Sequence, residues 1–97
     1  MTPLNDSDIR NALAGLPAWN LSGNAIQRVF EFSDFARAME FVNQVAAEAE
    51  EANHHPDILI NYSRVTLTLT SHDAGGLTKR DVAMARKISS LSGKAAA

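Results

Sequence analysis

Val65-Thr66-Leu67-Thr68-Leu69-Thr70 alternates apolar and hydroxylated side chains without a break. Successive residues of a β-strand point to opposite faces, so this stretch has one Val/Leu face and one threonine face. The apolar face predicts helices packed against it. The threonine face predicts solvent or a ligand. A sheet covered on one side only is characteristically antiparallel.

Ile58 to Asn61 reads as the preceding strand, joined through a turn or bulge at Tyr62-Ser63. If the later strand persists to His72, parity sets that histidine on the threonine face. Gly75-Gly76 predicts a flexible loop. Thr78 then caps a third helix with Asp81 at its N3 position, a capping-box-like arrangement. Val82, Ala85 and Ile88 make that helix's inner face, and the tail from Gly93 to Ala97 is expected to fray.

Upstream, Ser33 is the expected N-cap of a long second helix, with Asp34 in its first turn. Phe35, Met39, Val42, Ala46 and Ala49 recur at helical spacing as an apolar stripe, broadened by Phe41 and Val45. Pro56 disfavours helix just before it, so this helix ends near Ala52. Trp19–Leu21 and Ile26–Phe32 predict a hairpin around Ser22-Gly23-Asn24. A first helix spans Asp6 to Ala14, capped by Asn5 or Asp6 and ended by Gly15 and Pro17. The order α-β-β-α-β-β-α predicts a single α+β domain over residues 1–97. Its four-stranded antiparallel sheet carries helices on one face.

The composition is 45% hydrophobic and 21% charged over 97 residues, that of a soluble globular domain. So small a domain exposes much of its surface, which favours oligomerisation. The net charge of −2 argues against nucleic acid as the main partner. Lys79, Arg80, Arg86, Lys87 and Lys94 cluster in the last third and read as a solvated helix face. The absence of cysteine excludes disulfides, thiolate nucleophiles and cysteine-bound zinc. No signal peptide or membrane span is visible, so the expected location is cytoplasmic.

His54, His55 and His72 are the only histidines, and they fall at the two ends of the predicted strand pair. Histidine titrates near neutrality, so such a cluster is equipped for acid–base chemistry without a cofactor. Adjacent residues in an extended segment point to opposite sides. His54 and His55 therefore share one small substrate only if the Pro56 junction bends the chain. Three histidines can also bind zinc, but neighbouring ligands on one ion are awkward, and no HExxH or carboxylate spacing accompanies them. No metal is expected. Glu48, Glu50 and Glu51 crowd the end of the second helix, where negative charge opposes its dipole. A carboxylate there would favour a protonated imidazole and fix its tautomer.

Asn53-His54-His55-Pro56-Asp57, Tyr62, the alternating strand, Thr70-Ser71-His72-Asp73 and Gly76-Leu77-Thr78 with Asp81 resemble the pterin-4a-carbinolamine dehydratases, the dimerisation cofactor family of animals. Trp19-Asn20 and Phe32-Ser33-Asp34-Phe35 extend the resemblance over nearly the whole chain. It implies the same α+β fold and the dehydration of 4a-hydroxytetrahydropterin to the quinonoid dihydropterin without metal or other cofactor. The substrate would arise where an aromatic amino-acid hydroxylase consumes tetrahydropterin. His54, His55 and His72 would be the catalytic trio. Pterin contacts would fall on Asn53, His54, His55, Thr70, Ser71, His72 and Asp73, with Glu50 and Pro56 in support. His54 and His72 would act as acids at the 4a-hydroxyl, and His55 as base or orienter. A homodimer or homotetramer is expected. The sequence departs from the family at Asn53, where aspartate is frequent, at Ile58, aromatic in the animal proteins, and at Asp73, in place of glutamate. A non-catalytic interaction module is the expectation from a different class.

Overall fold

The computed structural model describes residues 2–95, and side chains through residue 92. The elements run α1 (Asp6–Ala14), β1 (Asn20–Ser22), β2 (Ala25–Glu31), α2 (Phe35–Ala52), β3 (Asp57–Asn61), β4 (Arg64–Leu69), a 3₁₀ turn (His72–Ala74) and α3 (Lys79–Ala95). This is the expected α-β-β-α-β-β-α order. All strand pairs are antiparallel, in the order β1-β2-β4-β3. The alternation in β4 is realised in full: Val65, Leu67 and Leu69 are completely buried, whereas Thr66 and Thr68 are half-buried on the other face. The register sets Ile26 opposite Leu69 and Phe30 opposite Val65, so β2 presents its own apolar residues to the same side. α3 continues through Gly93–Ala95, within the expected tail, and residues 96 and 97 lie outside the described residues. Among the described residues no helix is long and apolar enough to cross a membrane.

Two details of α2 differ from the sequence reading. Its N-cap is Asp34, not Ser33: the Asp34 backbone is extended and its carboxylate accepts the Arg37 N–H at 2.8 Å. Its buried stripe is Ala38, Phe41, Val42, Val45 and Ala49. Phe35 is 48% exposed, Ala46 is exposed and Met39 half-buried. The helix is apolar over two overlapping rows, and the row carrying Phe41 wins. That ring meets Phe30 at 4.7 Å and Phe32 at 5.1 Å between centroids, contacts worth more than burial of the smaller Ala46.

α3 is fastened to the sheet by polar as well as apolar contacts. Met84, Ala85 and Ile88 are buried beside α2 and β4, with Val82 half-buried. Ser89 Oγ accepts hydrogen bonds from Trp19 Nε1 at 2.9 Å and from Arg28 at 3.2 Å. These contacts hold α3 against α2 and the sheet.

Candidate active site

The site begins where α2 stops. Asn53 adopts the left-handed conformation (φ 50°, ψ 43°). Asparagine tolerates that region better than most residues. The His54 N–H then reaches back to the Ala49 carbonyl at 3.1 Å, and the chain turns into β3. The same turn makes adjacent side chains diverge. His54 goes inward and is 8% exposed. The His55 side chain remains 55% exposed and meets Glu50 at 2.5 Å.

His54 Nε2 lies 2.6 Å from Oδ1 of Asp81, a residue with no solvent exposure. The other carboxylate oxygen of Asp81 accepts from Ser71 Oγ at 2.8 Å and from the Thr78 N–H at 2.9 Å. Ser71 and Thr78 hydroxyls pair with each other at 2.9 Å. An acceptor-only carboxylate requires the proton on Nε2 of His54, which leaves Nδ1 as the variable nitrogen. Nδ1 has no hydrogen-bond partner among the described residues. Asp81 thus caps its own helix and orients a histidine from another element. A buried charge so placed must be paired, and here three donors pair it.

His72 follows Ser71 directly. The strand ends at Leu69, so the parity expected for His72 does not apply: it opens the 3₁₀ turn instead. Ser71 and Gly76 pair as an isolated bridge, and Gly75, at φ 76°, donates its N–H to the His72 carbonyl. This tight loop pins the backbone of His72 while its side chain stays exposed. Asp73, in the same turn, pairs with Arg80 at 2.6 Å, and that hydrogen bond holds its carboxyl below the usual carboxylate range.

Ser71, bonded to Asp81, thus links His54 to the backbone that carries His72. His55 and Glu50 form a separate pair on the outer side of the α2–β3 turn. Thr70 Oγ1 donates to the Asn24 carbonyl at 2.8 Å, tying β4 to the β1–β2 turn. Asn53 is an exposed helix cap. Pro56 stands between the turn and β3. In the sequence Asp81 reads only as a cap. Its spacing from Ala85 and Ile88 also puts it on the inner face of α3, where a carboxylate demands a donor. In the sequence Arg80 and Lys87 read as part of a solvated face. They line, with Ala52, His54, Ala83 and Met84, a concavity of ≈ 140 Å³. Among the described residues no group of three or more His, Cys, Asp or Glu side chains is arranged to hold a metal ion.

The family model described as Pterin 4 alpha carbinolamine dehydratase matches residues 2–91. The chain belongs to that family. As a member of a dehydratase family it is assigned to the hydro-lyases. A protein of Thermomicrobium roseum, provisionally named a pterin-4-alpha-carbinolamine dehydratase, is 52% identical, the match covering 94% of this chain and 98% of that one. A crystal structure of a transcriptional coactivator/pterin dehydratase from Brucella melitensis superposes with a TM-score of 0.89 at 39% identity, covering 93% and 98% of the two chains. A pterin dehydratase-like protein identified as a RuBisCO assembly factor in the alpha-carboxysome reaches a TM-score of 0.68 at 26% identity, over 78% and 90%.

Proposed function

We propose that this dehydratase-family protein converts a 4a-hydroxytetrahydropterin to the quinonoid dihydropterin and water. The reading is carried by the buried Asp81–His54 pair beside a concavity, one residue away from the loop that presents His72. The reaction breaks the C4a–O bond and removes the N5 proton as the C4a=N5 bond forms. Hydroxide leaves poorly, so an acid must protonate it. His54, oriented by Asp81, and His72, exposed on its pinned loop, are assigned to the 4a-hydroxyl. His55, paired with Glu50, is assigned as base or orienter at the opposite side of the ring. Each positioned proton-transfer group contributes roughly 10²–10⁴-fold. The pterin would be contacted by His54, His55, His72 and the Ser71–Asp73 loop, with Asn53 shaping the turn. No metal or other cofactor takes part in this scheme.

The proposal extends to context. An aromatic amino-acid hydroxylase is the expected source of substrate, the location is cytoplasmic, and the working form is a homodimer or homotetramer. Exposed Phe35 beside half-buried Met39 on α2, and exposed Leu59 and Tyr62 on the β3–β4 hairpin, support assembly through a helix or the sheet. The same residues support a second reading, a non-catalytic interaction module, as do the coactivator and assembly-factor names of the two structural neighbours. Purified protein added to chemically generated 4a-carbinolamine decides between them. Dehydration should run well above its spontaneous rate. A rate indistinguishable from the spontaneous one would leave only the interaction module.

A further inference from the structure

α3 carries Lys79, Arg80, Arg86 and Lys87 along one side, around the exposed methyl of Ala83. A helix face that is merely solvated usually mixes the two signs of charge, because i,i+3 and i,i+4 pairs stabilise it. No carboxylate of α3 stands on this side: its one acidic residue, Asp81, is buried beneath. Arg80 and Lys87 find carboxylates on other elements, Asp73 at 2.6 Å and Glu48 at 3.5 Å. Lys79 and Arg86 have no carboxylate within salt-bridge distance among the described residues. Yet the protein has a net charge of −2.

These two cations do not stand on a flat surface. They line a groove of ≈ 730 Å³ between α1 and α3, with Asn11 and Asp8 on its far wall. Ala83 borders both this groove and the smaller concavity at His54. Lys79 lies four residues before Ala83 and Arg86 three after it, so each stands about one turn away, roughly 5 Å along the axis. A ring held at His54 can therefore send a side chain across Ala83 into the groove, a span of about 10 Å, the width of a helix.

We infer that the groove between α1 and α3 is a subsite for an anionic side chain on the pterin, held by Lys79 and Arg86, one turn to either side of Ala83. The inference rests on the reading of the histidine site as a pterin site and adds the class of pterin: one whose side chain ends in phosphate groups or carboxylates. A long polyanion such as nucleic acid fits less well, because the chain as a whole carries a net charge of −2.

The test compares kcat/KM for three 4a-carbinolamines: one with a neutral dihydroxypropyl side chain, one with that chain as a triphosphate ester, and one ending in glutamate carboxylates. At least one anionic substrate should exceed the neutral one by roughly 10-fold at low salt, the scale of one charge-assisted contact at a half-open site. The arm that gains names the source, phosphate or carboxylate. The advantage should shrink in about 0.3 M salt, where screening is strong. It should fall about 5-fold in Lys79→Gln/Arg86→Gln and stay unchanged in Arg37→Gln, a charge removal on α2 far from the groove. Equal kcat/KM for all three substrates, or an advantage untouched by the double variant, overturns the subsite. Turnover of none of them overturns the dehydratase reading instead. Calorimetric titration with the oxidised pterins carrying the same three side chains then judges the groove alone, and equal Kd values there overturn it.

Discussion

Asp81→Asn separates the two duties of the buried carboxylate. The Thr78 N–H can only donate, so the asparagine must keep its carbonyl oxygen where Oδ2 now accepts at 2.9 Å. Its amide NH₂ is then forced toward His54 Nε2, which stands 2.6 Å from Oδ1 in the native protein. An NH₂ needs an acceptor, so Nε2 must give up its proton. The neutral ring shifts to the Nδ1–H tautomer, and the doubly protonated ring, the acid the scheme needs, loses the carboxylate that stabilises it. The helix cap survives in neutral form. Replacing charge-assisted bonds by neutral ones costs about 1–3 kcal/mol of stability, small enough for the fold to persist. The catalytic loss should be larger, about 10²-fold or more in kcat, as for any positioned acid–base group held in the wrong tautomer.

Three measurements belong together in this experiment. Steady-state dehydration gives kcat and KM, ring ¹⁵N shifts report the tautomer of His54, and thermal unfolding reports the cap. A variant whose tautomer has switched but whose kcat stays within about 3-fold of native would refute the role given to His54. A large kcat loss with an unchanged tautomer would refute the route through which Asp81 is said to act. Asp81→Ala is less informative, because it strands the buried Thr78 N–H and His54 Nε2 and costs stability on both counts.

His54→Ala and His72→Ala should each lower kcat/KM by roughly 10-fold or more with the fold retained, and His55→Ala should also impair turnover or binding; near-native rates in all three would remove the mechanism. Activity should resist exhaustive chelation, because the proposed elimination needs only proton transfer and Nε2 of both His54 and His55 is already held by a carboxylate; zinc in stoichiometric amount, with activity lost on its removal and regained on its return, would say otherwise. The Asp73–Arg80 pair lowers the folded pKa of Asp73, so its contribution to stability is full above the ordinary carboxylate value, near 3.9, and is lost as pH falls through the lower folded value. Denaturant titrations of Asp73→Asn against native protein should differ at neutral pH and converge in acid. Ala46→Glu should lower the order of assembly or its stability, read by light scattering; a native protein that is only monomeric at micromolar concentration would leave the exposed row of α2 without this role.

The strands were legible because their information is local. The period-2 alternation of Val65–Thr70 declares both the strand and its buried face, and a one-residue slip would expose Leu67 and Leu69. The length of α2 was legible for the same reason, from Pro56 and the helical period. Its buried face was not. Phe35, Met39 and Ala46 satisfy the period as well as Ala38, Phe41 and Val45 do, and only the position of Phe30 and Phe32 across the interface selects between the rows. The strand parity of His72 failed because pairing stops at Leu69, where a 3₁₀ turn and Gly75 in the left-handed region take over.

The site divides along the same line. That His54 and His55 diverge follows from two adjacent residues leaving a helix end, and the Asn53 cap makes that end abrupt. That His54 is met by Asp81, 27 residues away, depends on how α2 and α3 pack, which no local pattern encodes. The sequence carried a weaker sign of it. A carboxylate four residues before Ala85 and seven before Ile88 lies on an apolar helix face, and a helix cap alone satisfies only one of its two oxygens. The second oxygen required a donor from elsewhere in the fold. Read this way, a cap residue on the buried face of its helix is a pointer to a partner. Here the partner is the histidine whose proton the proposed chemistry needs.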